Sequence, residues 1–452
     1  MRSSDGIAVI AREFSANTST TESGSPVKKS AIRENSVLDQ QFDIEPGTPS
    51  AQLSQTILDS KHVKLPFSLM TNGRYTVPPN DEAWAQLSSL FQDTFGVELC
   101  PPFLIIRVRK LPPRQPVTVA GMPLRLTTDK HDTFFERGRT GKGGNLLHHL
   151  DLNKEWLTDA IMGQVLQSID SVSPTRVMWF SCFWQIVIPD GTPLESVPGR
   201  VGRQIVYYRY QSEIPEPSLA AGGAKDPDTV WDNTNYLTAP GSVLRPGIML
   251  SSSERSGDSW LRTSSGVLVA NSMGEKFVTA STHGFNPDGE VWHPSPKGDL
   301  IGKVVQEFPH TDICLIKLNK GITYINETFQ SDFDPLGTTI RGFAVPTPPE
   351  TSGWDIVTMD NPYSGYADGN VIALGVAVSV DPEHKYTKQR WFTFQCGGED
   401  INGSCGSPIL DEQGRVLSFF RYQIDNTKDT FAIEAVELQK LGFEVVQGQH
   451  TF

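Results

Sequence analysis

Asn402-Gly403-Ser404-Cys405-Gly406-Ser407-Pro408-Ile409-Leu410 is a glycine-rich loop that runs into a β-type segment, and the chain continues Asp411-Glu412-Gln413-Gly414-Arg415-Val416-Leu417-Ser418-Phe419-Phe420. The two apolar runs on either side of Glu412-Gln413-Gly414 predict a β-hairpin. The glycines flanking Ser404-Cys405 allow backbone conformations closed to other residues. A thiol displayed there, at the mouth of a strand, has the setting of a nucleophile, although a free cysteine is also a common small core residue.

A nucleophile needs a base, and the base needs a group to orient it. Two segments upstream supply candidates. Lys276-Phe-Val-Thr-Ala-Ser-Thr-His283-Gly284 is a β-type run ending in a histidine, and His310-Thr-Asp312-Ile-Cys-Leu-Ile-Lys-Leu318 opens an apolar strand with an aspartate. An imidazolium beside Cys405 would favour its thiolate.

The bland readings stand beside these. Cys396, in Cys396-Gly-Gly398, is a rival nucleophile, but no glycine lies two residues before it and no strand follows directly; Ser404 is another rival. His293 and His310 are alternative bases, although His310 lies two residues from Asp312, too close in sequence for the usual geometry. Asp312 and Asp299 also suit turns before strands. Cys314 lies in an apolar run, and Cys100 and Cys182 read as packing residues. No His or Cys grouping has zinc spacing, so neither a metal nor an organic cofactor is expected.

Taken together, Thr279-Ala-Ser-Thr-His283, Asp312-Ile-Cys-Leu-Ile-Lys-Leu318 and Gly403-Ser-Cys405-Gly-Ser-Pro408 resemble the chymotrypsin-like, or trypsin-like, peptidases. Their patterns run roughly T-A-A-H, D-I-A-L-[IV]-[KR]-L and G-[DN]-S-G-[GS]-P. The order is the same, with Asp312 29 residues after His283 and Cys405 93 residues after Asp312. The resemblance covers about Val243 to Leu441 and implies a double β-barrel. It makes His283 the general base and acid, Asp312 its orienting carboxylate and Cys405 the nucleophile in place of the family serine. The backbone N–H groups of Gly403 and Cys405 would form the oxyanion hole. The floor of the substrate side-chain pocket would fall at Glu399, or at Asp400 after a shift of register, with walls from Phe420 to Tyr422; a carboxylate floor would select a basic substrate side chain. Two departures are visible. No Ile-Val-Gly-Gly-like segment precedes the domain, and Ser404 stands where digestive members carry the aspartate that pairs with a freed N-terminus.

Outside this region the chain is read from composition. Its 452 residues carry 39 Lys and Arg against 52 Asp and Glu, a net charge of -13, which argues against nucleic acid or an anionic membrane as partner. Residues 1–60 hold sixteen Ser or Thr and only two aromatics, which predicts a disordered tail. Residues 61–212 read as a mixed α/β domain. A helix capped by Asp81 would carry Trp84, Leu87 and Phe91, and a second would carry Leu152, Trp156, Ile161, Val165 and Ile169. Strands are expected at Phe103–Val108, Val177–Ile188 and Gln204–Tyr210. A Pro-, Gly- and Ala-rich linker fills 213–242, and residues 243–452 form an all-β domain closed by a short helix at Ala435–Leu441.

No apolar run reaches the roughly twenty residues of a membrane span, and the patch Ile7 to Ala11 is too short for a secretory signal core. Five cysteines are too few and odd in number for a secreted disulfide framework. The sequon Asn402-Gly-Ser404 would put a glycan inside the oxyanion loop. An intracellular site is therefore expected. The resemblance implies an endopeptidase acting on protein or peptide substrates through a thioester acyl-enzyme. The alternative is a catalytically inactive trypsin-like domain that binds peptides or acts as a scaffold. Oligomeric state is open.

Overall fold

The computed structural model describes residues 10–13, 61–71, 74–112, 115–131, 138–152, 155, 157–214, 234, 236, 243–254, 259–331, 334–344, 356–379, 385–395, 403–423 and 429–452. The chain divides into two compact units, Met1–Arg137 with Glu350–Gly353, and Gly138–Pro349 with Trp354–Phe452. The division falls inside the segment 61–212 that composition marks as one α/β domain. The remainder of the expected tail and the linker, 215–233 above all, lie outside the described residues.

In the first unit a six-stranded sheet runs, edge to edge, Ile10–Glu13, Thr94–Cys100, Phe103–Val108, Met122–Thr127, Thr118–Val119, His62–Val63. Phe103–Val108 is buried at every position. The helix Asp81–Ser88 forms where its apolar spacing predicts, but its N-cap is Asn80, whose side chain accepts from the Ala83 N–H at 2.9 Å; Asp81 instead places its charge in the first turn. Buried Glu98 and Arg107 pair at 2.6 Å, so neither charge is left unpaired.

The second unit contains two barrels. The first is an antiparallel sheet ordered Arg262–Ser264, Met249–Ser251, Glu290–His293, Asp299–Phe308, Ile313–Leu318, Lys276–Ser281, Leu268–Ala270, Glu444–Val445. Arg262–Ser264 and Leu268–Ala270 belong to one bent run of chain, which carries the sheet round upon itself. Alternation sorts its side chains: Val278, Ala280, Cys314 and Ile316 fill the interior, whereas Phe277, Ile313 and Leu315 face outward into a separate apolar cluster.

The second barrel has six antiparallel strands ordered Gly365–Val378, Ile356–Asn361, Pro408–Asp411, Arg415–Gln423, Asp429–Glu434, Tyr386–Gln395, and it closes because the last pairs with the first. Its interior holds Val357, Met359, Phe392, Phe394, Ile409, Phe420 and Ala432. Between the barrels lies a seam in which Phe277, Phe308, Ile313 and Leu315 of the first meet Leu410, Phe419 and Ile433 of the second. This mostly β, two-barrel architecture agrees with the fold class expected for 243–452.

Residues 138–212 are not separate from it. The single strand expected at Val177–Ile188 is a hairpin, Arg176–Trp179 and Phe183–Ile188, broken where Ser181 takes a positive φ of 63°. Arg176–Trp179 then pairs antiparallel with Leu374–Ala377, the half of Gly365–Val378 that extends beyond its pairing with Ile356–Asn361. A helix, Asp159–Ser168, capped by Thr158, buries Ile161, Met162 and Val165 in one apolar cluster with Val177, Trp179, Ile186 and Val376. Hydrophobic patterning marked each element as buried but could not say which edge it would join.

Candidate active site

His283 follows directly from the strand Lys276–Ser281, in the short turn Thr282–Gly284. Gly284 is required there, because a Cβ would lie 2.6 Å from the Thr263 methyl. Asp312 precedes the strand Ile313–Leu318 that pairs with Lys276–Ser281, and it adopts a left-handed φ of 57°. That conformation, uncommon outside glycine, turns the carboxylate back toward the histidine. His283 Nδ1 lies 2.6 Å from Asp312 Oδ2, and the His283 backbone N–H donates to Oδ1 at 3.3 Å. Ser281 donates its hydroxyl to Oδ2 at 3.1 Å. The carboxylate is thus held on both oxygens.

Both side chains are largely buried, at 15% and 12% exposure. Burial works against the charged ring, but the Asp312 carboxylate and the Cys405 sulfur outweigh it and hold the His283 pKa up at about 10. Burial also opposes ionisation of Asp312, yet His283, Arg421 and Ser281 together keep its pKa below the usual value. His283 Nε2 is enclosed and makes no hydrogen bond.

The loop that carries Cys405 arrives from the second barrel and is tied to the first. Ser264 N–H and Thr263 Oγ1 donate to the Cys405 carbonyl at 3.0 and 2.5 Å, and Ser264 Oγ donates to the Gly403 carbonyl at 3.1 Å. Gly403 and Gly406 adopt φ of 98° and 88°. A Cβ on Gly406 would sit 2.5 Å from the Ser264 carbonyl, so only glycine permits the approach. Among the described residues no acceptor is found for the backbone N–H of Cys405, whereas Gly406 N–H donates to the Phe420 carbonyl at 2.8 Å. The Cys405 residue is 2% exposed, and its thiol donates to the Arg421 carbonyl at 2.8 Å.

The strand Arg415–Gln423 carries a bulge: Phe420 faces Ala432, Tyr422 faces Phe431, and Arg421 between them has no partner. Such a bulge re-aims one side chain. Here it brings Arg421 Nε to 3.6 Å from Asp312 Oδ2. Glu399, Asp400 and Cys396 lie outside the described residues. Of the expected pocket walls, Phe420 is 3% exposed inside the second barrel, and Tyr422 is 5% exposed, stacked on Phe431 and accepting from Arg176 Nη2 at 3.1 Å. Both are packed because the bulge gives Arg421, not its neighbours, the face toward His283 and Asp312.

The alternative groups are engaged elsewhere. Ser404 is fully buried and donates to Asn361 Oδ1 at 3.0 Å. His293 Nδ1 lies 2.7 Å from the Met249 carbonyl, and His310 is buried. Cys314 is enclosed in the first barrel, where burial drives its thiol pKa up. Composition did not single out Ser281 or Asn361. The latter sits in Asn361-Pro-Tyr-Ser-Gly365, a turn signature between two β runs, and that signal could have found it.

No protein-family model and no curated protein matches the chain. Among solved structures, a glutamic acid specific serine protease matches at 15% identity over 45% of this chain and 100% of its own, with a TM-score of 0.34. A Nocardiopsis protease matches at 14% identity over 45% and 98%, TM-score 0.33. The chymotrypsin of Cellulomonas bogoriensis matches at 14% identity over 46% and 99%, TM-score 0.33.

Proposed function

We propose that the two-barrel unit is an endopeptidase in which Cys405 attacks the scissile carbonyl, His283 carries the proton and Asp312 orients the ring. The observation that carries this reading is the 2.6 Å contact of His283 Nδ1 with Asp312, which leaves the enclosed Nε2 unpaired on the side of the nucleophile loop. A buried nitrogen without a partner costs stability unless something else uses it. Rotation about the Cys405 Cα–Cβ bond exchanges the Arg421 carbonyl for Nε2, the thiol proton passes to the ring, and a thiolate–imidazolium pair results. Sulfur then bonds to the carbonyl carbon, and the carbonyl electron pair moves to oxygen beneath the N–H groups of Gly403 and Cys405. The amine leaves with the proton from His283, and water hydrolyses the thioester by the reverse sequence. A reducing, intracellular compartment suits this chemistry, since oxidation of Cys405 would end it.

A second reading is favoured by one fact, that the resting thiol donates its proton to the Arg421 carbonyl. On it, the unit binds peptides without cleaving them. Digestion of a peptide library by the protein beside its Cys405→Ala variant separates the two: cleavage confined to the unaltered protein supports the peptidase, and its absence from both supports the binding module.

A further inference from the structure

Among the described residues near the Cys405 loop, the Tyr363 hydroxyl is one of the enclosed polar groups that make no hydrogen bond and that the peptidase reading leaves unused. Tyr363 stands in the turn between the second-barrel strands Ile356–Asn361 and Gly365–Val378. Its ring lies against Gly403: a Cβ built there would be 2.6 Å from both Cε1 and Cζ, the carbon that bears the hydroxyl. The hydroxyl itself is enclosed and makes no hydrogen bond.

The placement is fixed by one side-chain oxygen. Fully buried Asn361 accepts, through Oδ1, the N–H of Tyr363 at 2.9 Å, the N–H of Ser364 at 3.1 Å and the hydroxyl of Ser404 at 3.0 Å. Its Nδ2 donates to Ser364 Oγ at 2.9 Å. The Tyr363 turn and the residue preceding Cys405 therefore hang from the same atom and keep their spacing as the loop moves. An enclosed hydroxyl without an acceptor is costly to keep, and an acceptor that arrives during function would offset that cost.

We infer that the Tyr363 hydroxyl is a third oxyanion donor, which acts with the N–H groups of Gly403 and Cys405 on the oxygen of an acyl substrate. Burial pushes the phenol pKa up, so the hydroxyl keeps its proton at neutral pH and remains a donor. When the Cys405 sulfur bonds to the carbonyl carbon, the π pair moves onto oxygen and meets a fixed dipole. When the intermediate collapses, the pair returns, the leaving group departs and the hydroxyl again lacks an acceptor.

The inference rests on Cys405 being the nucleophile, and its test uses two reagents for that thiol. p-Nitrophenyl acetate acylates through an oxyanion and releases p-nitrophenolate. Iodoacetamide alkylates by displacing iodide, with no oxyanion. Tyr363→Phe removes one oxygen and keeps the ring. Acylation of Cys405 is expected to slow about tenfold or more, as for loss of an oxyanion donor, while alkylation stays within about twofold. Unchanged acylation would overturn the donor role and leave the nucleophile intact. An equal fall in both rates would also overturn it, since Tyr363 would then act by packing or by positioning the thiol. A protein whose Cys405 is not acylated at all would remove the peptidase reading and this inference with it.

Discussion

The two sides of the cleft differ in how far they are assembled. On the first-barrel side, strand pairing, the left-handed Asp312 and the Ser281 hydroxyl lock His283 and its carboxylate into one arrangement. On the second-barrel side the loop backbone is equally fixed, but the Cys405 thiol donates to the Arg421 carbonyl. The His283–Asp312 half is thus fixed by its hydrogen bonds, and under the proposed reaction the Cys405 half needs one side-chain rotation. A staggered change at a single χ1 costs little beside a barrier to chemistry, so catalysis is compatible with the resting geometry.

The largest effect should come from removing the atom that must turn. Cys405→Ala is expected to lower peptide hydrolysis by roughly four orders of magnitude or more, and Cys405→Ser to leave a trace, read from initial rates on one library peptide. Next comes the locked side. Asp312→Asn should cut kcat about 100-fold or more by freeing the ring and its tautomer. It should also move a basic limb, which lies near the His283 pKa of about 10, to lower pH in a kcat/KM profile. Because folding raises the His283 pKa, its contribution to stability is complete below about pH 6.5 and fades as pH rises through about 10. The melting temperature of the unaltered protein should accordingly fall more steeply over that window than that of Asp312→Asn.

Asn361→Ala tests whether the second side depends on its buried tie. It strands the donors of Tyr363, Ser364 and Ser404, and a loss of about 1–3 kcal/mol in urea unfolding is expected. The smallest effect belongs to the ion pair that crosses the cleft. Arg421→Gln removes a positive charge 3.6 Å from Asp312, so the carboxyl pKa should rise and an acid limb shift upward, with neutral-pH activity changed only a few-fold.

The residues of the proposed site are marked by short-range signals in the sequence. His283, Asp312 and Cys405 each sit at the end or beginning of a strand whose alternation is plain. The hairpin Pro408–Asp411 with Arg415–Gln423 forms around Gly414, whose φ is 73°. What could not be read is set by long-range pairing. The strand Arg176–Trp179 is equally apolar whether it begins a separate domain or joins Leu374–Ala377. Which way Phe420 and Tyr422 face could not be read for a related reason: a bulge shifts alternation by one residue, and no composition signals it. Likewise, the role of Asn361 depends on three donors brought together from two segments.

The central claim is that His283 governs the reactivity of Cys405. It is tested most directly by timed iodoacetamide labelling, with each cysteine followed by peptide mass spectrometry, in the protein and in His283→Gln. Rapid labelling confined to Cys405 and lost in the variant is the expected result. Labelling of Cys405 at the pace of an ordinary buried thiol, the same with or without the imidazole, would contradict it.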